Sequence, residues 1–184
     1  MLRLDLKLKM LRISFLCLAV FVEGCVGPPE GIAPIEGFEV DRYLGKWYEI
    51  ARLDHRFERG MTNVSAIYTK REDDGIAVVN RGFVEKTGEW KSVAGKALFV
   101  EDPRKGSLKV SFFGPFYGGY HVLALDQQSY QYAMVCGPNR SYLWILARQR
   151  TLPAPTLSRL TEKARELGFA VDELIYVTHD RRDG

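Results

Sequence analysis

From Trp47 to Gln149 the chain breaks into short runs of alternating apolar and polar residues, with turn formers recurring about every 8–12 positions. Alternation with period two puts successive side chains on opposite faces of a strand, so each run has one face to bury and one to leave in water. Eight strands are predicted, over residues 46–55, 63–71, 75–85, 90–101, 107–113, 119–126, 130–136 and 141–150. Asp73-Asp74-Gly75, Lys86-Thr87-Gly88, Gly114-Pro115 and Gly137-Pro138-Asn139 punctuate them. Such residues tolerate tight-turn backbone angles. An antiparallel barrel or sandwich follows. The pattern then changes: Leu157, Leu160, Ala164 and Leu167 stand at helical spacing, closed by Gly168, and predict one amphipathic helix over 155–167. A ninth short strand is predicted over 173–178.

Composition enters as exclusion. Net charge is +3 with no concentrated Lys/Arg stretch, so nucleic acid is not an expected partner. Three Cys in 184 residues cannot form a disulfide framework, and the core must hold the fold. No metal-ligand spacing, phosphate-cradling glycine loop or nucleophile–base pattern stands out, so neither metal, cofactor nor catalysis is expected. His55, His121 and His179 are scattered, and Cys136 has no His near it in sequence.

The first 24 residues read as a signal peptide. Arg3, Lys7, Lys9 and Arg12 precede the apolar run Ile13–Val22, which is too short to span a bilayer as a helix. Gly24-Cys25 after that run resembles the lipobox of bacterial lipoproteins, which implies lipidation of Cys25 and a lipid anchor in the membrane. An ordinary cleavage nearby, leaving Cys25 a plain thiol, is the alternative. Val26 rather than Asp after the Cys resembles the pattern of outer-membrane sorting. Residues 25–37 are rich in Pro and Gly and read as a tether, and the folded domain is expected over 38–184. Without residues 1–24 the charges are 22 basic against 21 acidic.

Gly45-Lys46-Trp47-Tyr48-Glu49-Ile50-Ala51-Arg52 resembles the Gly-x-Trp signature that opens the first strand of lipocalins, and Arg148 matches the Arg that packs over that Trp. Asp126, with Tyr130 four residues on, is similar to the family's turn between sixth and seventh strands. Asp54–Gly60, Ser111–Tyr120 and Val135–Pro138 resemble the bacterial outer-membrane lipocalin lipoproteins in particular. The resemblance spans about residues 38–179. It implies an all-β fold, an eight-stranded antiparallel up-and-down barrel with the helix packed outside. Gly45, Trp47, Asp126 and Arg148 would then be structural residues of the closed end.

An eight-stranded barrel is wide enough either to be filled by side chains or to hold one small ligand. With Trp47 and Arg148 inward, period two and the lipocalin pattern turn Ala66 and Tyr68 inward from the second strand, Val78 and Asn80 from the third, and Val93 and Phe99 from the fourth. The fifth adds Val110 and Phe112, the sixth Tyr120, Val122 and Ala124, and the eighth Tyr142 and Trp144. Large rings mixed with Ala and Val predict an open apolar calyx. Glu49 is the inward carboxylate of the first strand and should bond a Tyr or Arg near the closed end. The loops at the open end bring Arg56, Arg59 and Arg140 to a mouth suited to an anionic headgroup, with Phe116 and Tyr117 exposed as a membrane or dimer contact. A carrier of fatty acid or lysophospholipid is expected, with a homodimer as a further partner state. The competing classes are an enzyme on the same barrel and an interaction lipoprotein with a filled core.

Overall fold

The computed structural model describes residues 26–182. Eight strands run β1 Gly45–Arg52, β2 Met61–Lys70, β3 Ile76–Val84, β4 Glu89–Phe99, β5 Ser107–Phe113, β6 Phe116–Leu125, β7 Tyr132–Cys136 and β8 Leu143–Ala147. Each pairs antiparallel with its successor, and β1 pairs with both β8 and β2, which closes the barrel. A short helix α1 (Val40–Tyr43) precedes β1, and α2 (Ala154–Glu166) lies on the outside. Strand β9 (Ile175–Tyr176) adds to β1. The predicted signal peptide and Cys25 lie outside the described residues.

Two layers of apolar side chains follow from the alternation. The outward faces of β1, β7 and β8 (Ala51, Met134, Ile145, Ala147) bury against Leu160 and Ala164 of α2, with Ile32 and Leu53 alongside. The inward faces (Trp47, Val78, Ala133, Val135, Leu146) form a second cluster at the closed end with Phe38 and Tyr43.

The closed end is built around Trp47, which is fully buried. Its indole N–H donates to the Tyr43 carbonyl at 2.7 Å. The Arg148 guanidinium lies 4.0 Å over the ring and donates to the carbonyls of Arg42, Tyr43, Lys46 and Tyr130. Burial lowers the Arg148 pKa, but an arginine stays charged in any case. Gly45 has φ +94, and a Cβ there would stand 3.3 Å from Arg148 Nη1, so the turn into β1 needs glycine. Asp126 accepts from the Ser129 and Gln131 N–H groups and shapes the turn between β6 and β7, with Tyr130 at φ +55.

Strict alternation fails at bulges. One in β1 between Glu49 and Ala51 puts Arg52, not Ala51, opposite inward Trp144. Another in β6 pairs Leu125 with inward Ala133 and sends Ala124 outward against Met134, so Ala124 does not line the lumen as period two predicted.

The segment read as a tether is strapped to the wall over most of its length. Ile35 exchanges backbone bonds with Val122 and Gly106, Phe38 N–H donates to the Arg104 carbonyl, and Ile32 is buried. The tail does the same on the other side. Above Tyr48–Ser65 no further β1–β2 pairs form, and residues 175–181 stitch the gap. Val177 N–H donates to the Ile50 carbonyl and His179 Nε2 meets the Glu49 carbonyl, while Asn63 binds the Thr178 carbonyl, the Asp180 carboxylate and the Arg181 N–H.

Replacing Trp47 by Ala removes the plug and leaves a cavity at the floor, a loss of roughly 3–5 kcal/mol. Urea unfolding should show the midpoint fall by that free energy divided by an unchanged slope. An unchanged midpoint would remove Trp47 from this role.

Candidate ligand site

The register fixes which side chains share the lumen. Trp47 stands opposite Ala66, Ala66 opposite Asn80, and Asn80 opposite Val93, so one inward row crosses four strands. Val93 faces inward and yet is 37% exposed, and Ala66 and Asn80 keep partial exposure. An inward residue can be that exposed only if the barrel holds open space above its floor. Asn80 Oδ1 is itself buried and makes no hydrogen bond among the described residues. Across the barrel Val110, Phe112, Tyr120 and Trp144 are also part-exposed. The Phe112 ring lies over Gly95 of the adjacent strand β4, where a Cβ would stand 2.6 Å from Cδ1.

Other predicted lining residues lie deeper. Tyr68, Val78 and Val122 are buried in the floor, and the Phe99 ring packs edge-on against Phe38. At that floor Tyr120 OH sits 2.6 Å from Tyr43 OH and 3.0 Å from Tyr68 OH. Burial raises all three phenol pKa values, that of Tyr68 to about 12, so they remain neutral hydroxyls.

The upper lumen carries a polar cluster that alternation could not reveal. Because of the β1 bulge, Arg52 turns inward and donates to Glu49 Oε1 at 2.6 Å, both groups almost wholly buried. The Glu49 partner is thus an Arg, but above the floor rather than beside it. Arg52 Nη2 also donates to the carbonyls of Glu58 and Met61, which pins the 53–60 loop over the mouth. Glu58 dips inward and accepts from the Trp144 indole at 3.1 Å, while His55 Nε2 sits 2.9 Å from its carboxylate. His55, Tyr142 and Trp144 then form an aromatic rim, with the latter two stacked at 24°.

Burial and then the neighbouring Glu58 charge raise the Glu49 pKa well above its ordinary value, against the pull of Arg52. Burial raises Glu58 too, but His55, the indole N–H and Glu49 outweigh it and its pKa is lowered. Burial thus favours the proton on Glu49 and leaves Glu58 the more acidic of the two, with the Arg52 guanidinium held against Glu49.

The three arginines assigned to the mouth separate. Arg56 is exposed over the Phe57 ring at 5.1 Å. Arg59 makes a bidentate contact with Asp54. Arg140 is not at the mouth: it donates to the carbonyls of Leu167, at the end of α2, and Glu30, in the strap, because the 137–142 loop bends outward. His121 faces outward and buried, 3.0 Å from Ser107 Oγ, beneath the strap. Cys136 is outward, buried and unpaired, with its pKa raised to about 12 by burial. Among the described residues no cluster of His, Cys, Asp and Glu has the makings of a metal site.

A family profile described as a lipocalin-like domain matches residues 38–179. The chain belongs to the lipocalin family. It is 52% identical over 168 residues to the outer membrane lipoprotein Blc of Vibrio cholerae, covering 91% of this chain and 98% of that one. It is 49% identical to Blc of Escherichia coli K12 over 150 residues, 82% of this chain and 84% of the other. Among solved structures, insecticyanin from Manduca sexta superposes with a TM-score of 0.67 at 21% identity, covering 83% and 86% of the two chains, a likeness of fold.

The raised Glu49 pKa has a testable sign. A carboxyl that binds its proton more tightly when folded stabilises the fold at low pH, and that contribution is lost as pH rises from the unfolded value near 4.5 through the folded one. Glu49→Gln keeps the acceptor for Arg52 and has no proton to lose. Its melting temperature relative to wild type should therefore climb between pH 4.5 and pH 8 in paired thermal scans. A difference that stays flat or shrinks would show Glu49 ionised in the folded protein.

Proposed function

We propose that this lipocalin is a non-catalytic carrier, anchored in the bacterial outer membrane by an acylated Cys25, that takes a fatty acid or lysophospholipid into its calyx. The observation that carries the reading is the row Ala66–Asn80–Val93, inward and still accessible. The names of the relatives, outer membrane lipoproteins, support the location and the anchor. The acyl chain would run down beside Trp144 toward the floor, where Val110, Phe112 and Tyr120 offer mainly apolar surface. The headgroup would stay at the rim near Arg56 and Arg59, because the Arg52 guanidinium inside is already engaged by Glu49 and by the carbonyls of Glu58 and Met61.

The rival reading is an interaction lipoprotein with a filled barrel. Binding separates the two. Each methylene buried contributes roughly 0.8 kcal/mol before ordering costs, so affinity should rise with chain length until the cup is full. Titration of intrinsic Trp fluorescence with fatty acids of graded length should show this in wild type and lose it in Ala66→Trp and Val93→Trp, both of which should keep the wild-type melting temperature within a few degrees. Affinity independent of chain length, or unchanged in both variants, would put the filled-barrel reading in front. Cys25→Ser should in parallel release the protein from the membrane fraction.

A further inference from the structure

We propose that the hairpin tip Phe113-Gly114-Pro115-Phe116 is a wedge that inserts into the bilayer surface and seats the mouth of the barrel on the membrane. Phe113 and Phe116 are 70% and 79% exposed, and they face each other across the turn between β5 and β6. Phe57, 55% exposed, stands on the 53–60 loop at the same end. Ile67, Val79, Ile175 and Tyr176 are exposed as well, but each less than the two phenylalanines of the tip. Three phenyl rings held in water at one end of the barrel make an interaction surface, and the remaining observations select its occupant.

The first is charge. Lys96 and Lys109 reach the Tyr117 ring at 5.8 and 5.2 Å, directly behind the tip, and Arg56 lies over Phe57. Apolar rings projecting beyond a collar of cations match the layered chemistry of a membrane interface, with acyl chains beneath phosphate. The second is where the chain leaves the described structure. The Val26 carbonyl packs against Gly119, 2.9 Å from where a Cβ would stand. Gly119 is three residues along β6 from Phe116, or about 10 Å at the rise of a strand. Val26, where the described chain begins, stands against the half of β6 nearer the tip. An acyl group on Cys25 would thus enter its bilayer beside the tip and not at the closed end, and the same bilayer would meet Phe113 and Phe116. That orientation rests on the anchor proposed above; the apolar tip does not. A seated mouth would let an amphiphile pass between bilayer and calyx without its chain crossing water.

The test uses the acylated protein in vesicles of phosphatidylethanolamine and phosphatidylglycerol, with and without bromine on the acyl chains. A reporter indole is introduced by Phe116→Trp at the tip or by Gln128→Trp at the closed end. Emission added by Phe116→Trp should be blue-shifted and quenched by the brominated lipid, and that added by Gln128→Trp should be neither. Equal, negligible quenching at both positions overturns the wedge, and a blue shift without quenching assigns the tip to a second copy of the chain and overturns it equally. The Cys25→Ser chain, carrying the same reporters, separates wedge from anchor. It should still be quenched at high lipid concentration, and Phe113→Ser with Phe116→Ser should weaken its partition roughly tenfold or more, from the apolar area withdrawn. Unanchored protein that is quenched at Phe116→Trp keeps the wedge even if acylation of Cys25 fails, and protein that floats but is never quenched there loses the wedge while keeping the anchor.

Discussion

The Arg148 guanidinium over the Trp47 indole is the contact from which the rest of this barrel takes its bearings. Its donors satisfy carbonyls from α1, from the turn into β1 and from the turn before β7, the first two 106 and 102 residues before Arg148 and the last 18. A half-buried cation of this kind is tolerable because the ring face and four carbonyls replace much of its water. Once Trp47 is held inward, its partner across β2 must be inward as well, and so must each successive partner around the sheet. One stacked pair thereby sets which side chains are wall and which are lumen.

That dependence explains how much could be read from the residues alone. Gly45, Trp47, Asp126 and Arg148 have local chemical reasons to be what they are, and the strand count and outer helix follow from turn chemistry and period. The inward row through Ala66, Asn80 and Val93 follows too, since no bulge interrupts their pairing. The bulges at Ile50 and after Val122 were hidden because nothing in Glu49-Ile50-Ala51-Arg52 departs from a plausible strand. The extra residue exists because β1 must bend to serve β8 on one edge and the tail on the other. Arg52 and Glu58 belong to the lumen only through that bend. Arg140 looked like a mouth residue because its loop is at the open end, but its donors find the free carbonyls of a helix terminus and of the strap. The Pro- and Gly-rich stretch before Phe38 reads as a tether by composition, whereas its backbone bonds depend on a partner wall far along the chain.

The interior is divided between two chemistries. The floor is aromatic and hydroxylic, with phenols that stay neutral because burial disfavours their anions. The upper lumen holds two carboxyls and a guanidinium, where burial favours the proton on Glu49 and Arg52 opposes it. A carboxylate left unpaired there would be costly, and Glu49 and Glu58 each have a donor within hydrogen-bond reach. A lipid chain would pass a polar collar before it reaches apolar surface, and the collar also ties down the loop that roofs the entrance.

The seam between β1 and β2 has a temporal side. β1 is among the earliest structured parts of the chain, but its edges are completed by β8 and by residues 175–181, close to the end. These are contacts of high sequence separation, and they form late and slowly compared with hairpins between neighbouring strands. In a chain that emerges N-terminus first, β2 to β6 can pair while β1 still waits with one edge bare. Until β8 arrives the sheet is an open ribbon whose apolar inner face has nothing to enclose it, and the tail at Asn63 then covers what remains of the gap between β1 and β2. A chain that stalls short of β8 would present its inner face to whatever chaperone or neighbouring chain is at hand.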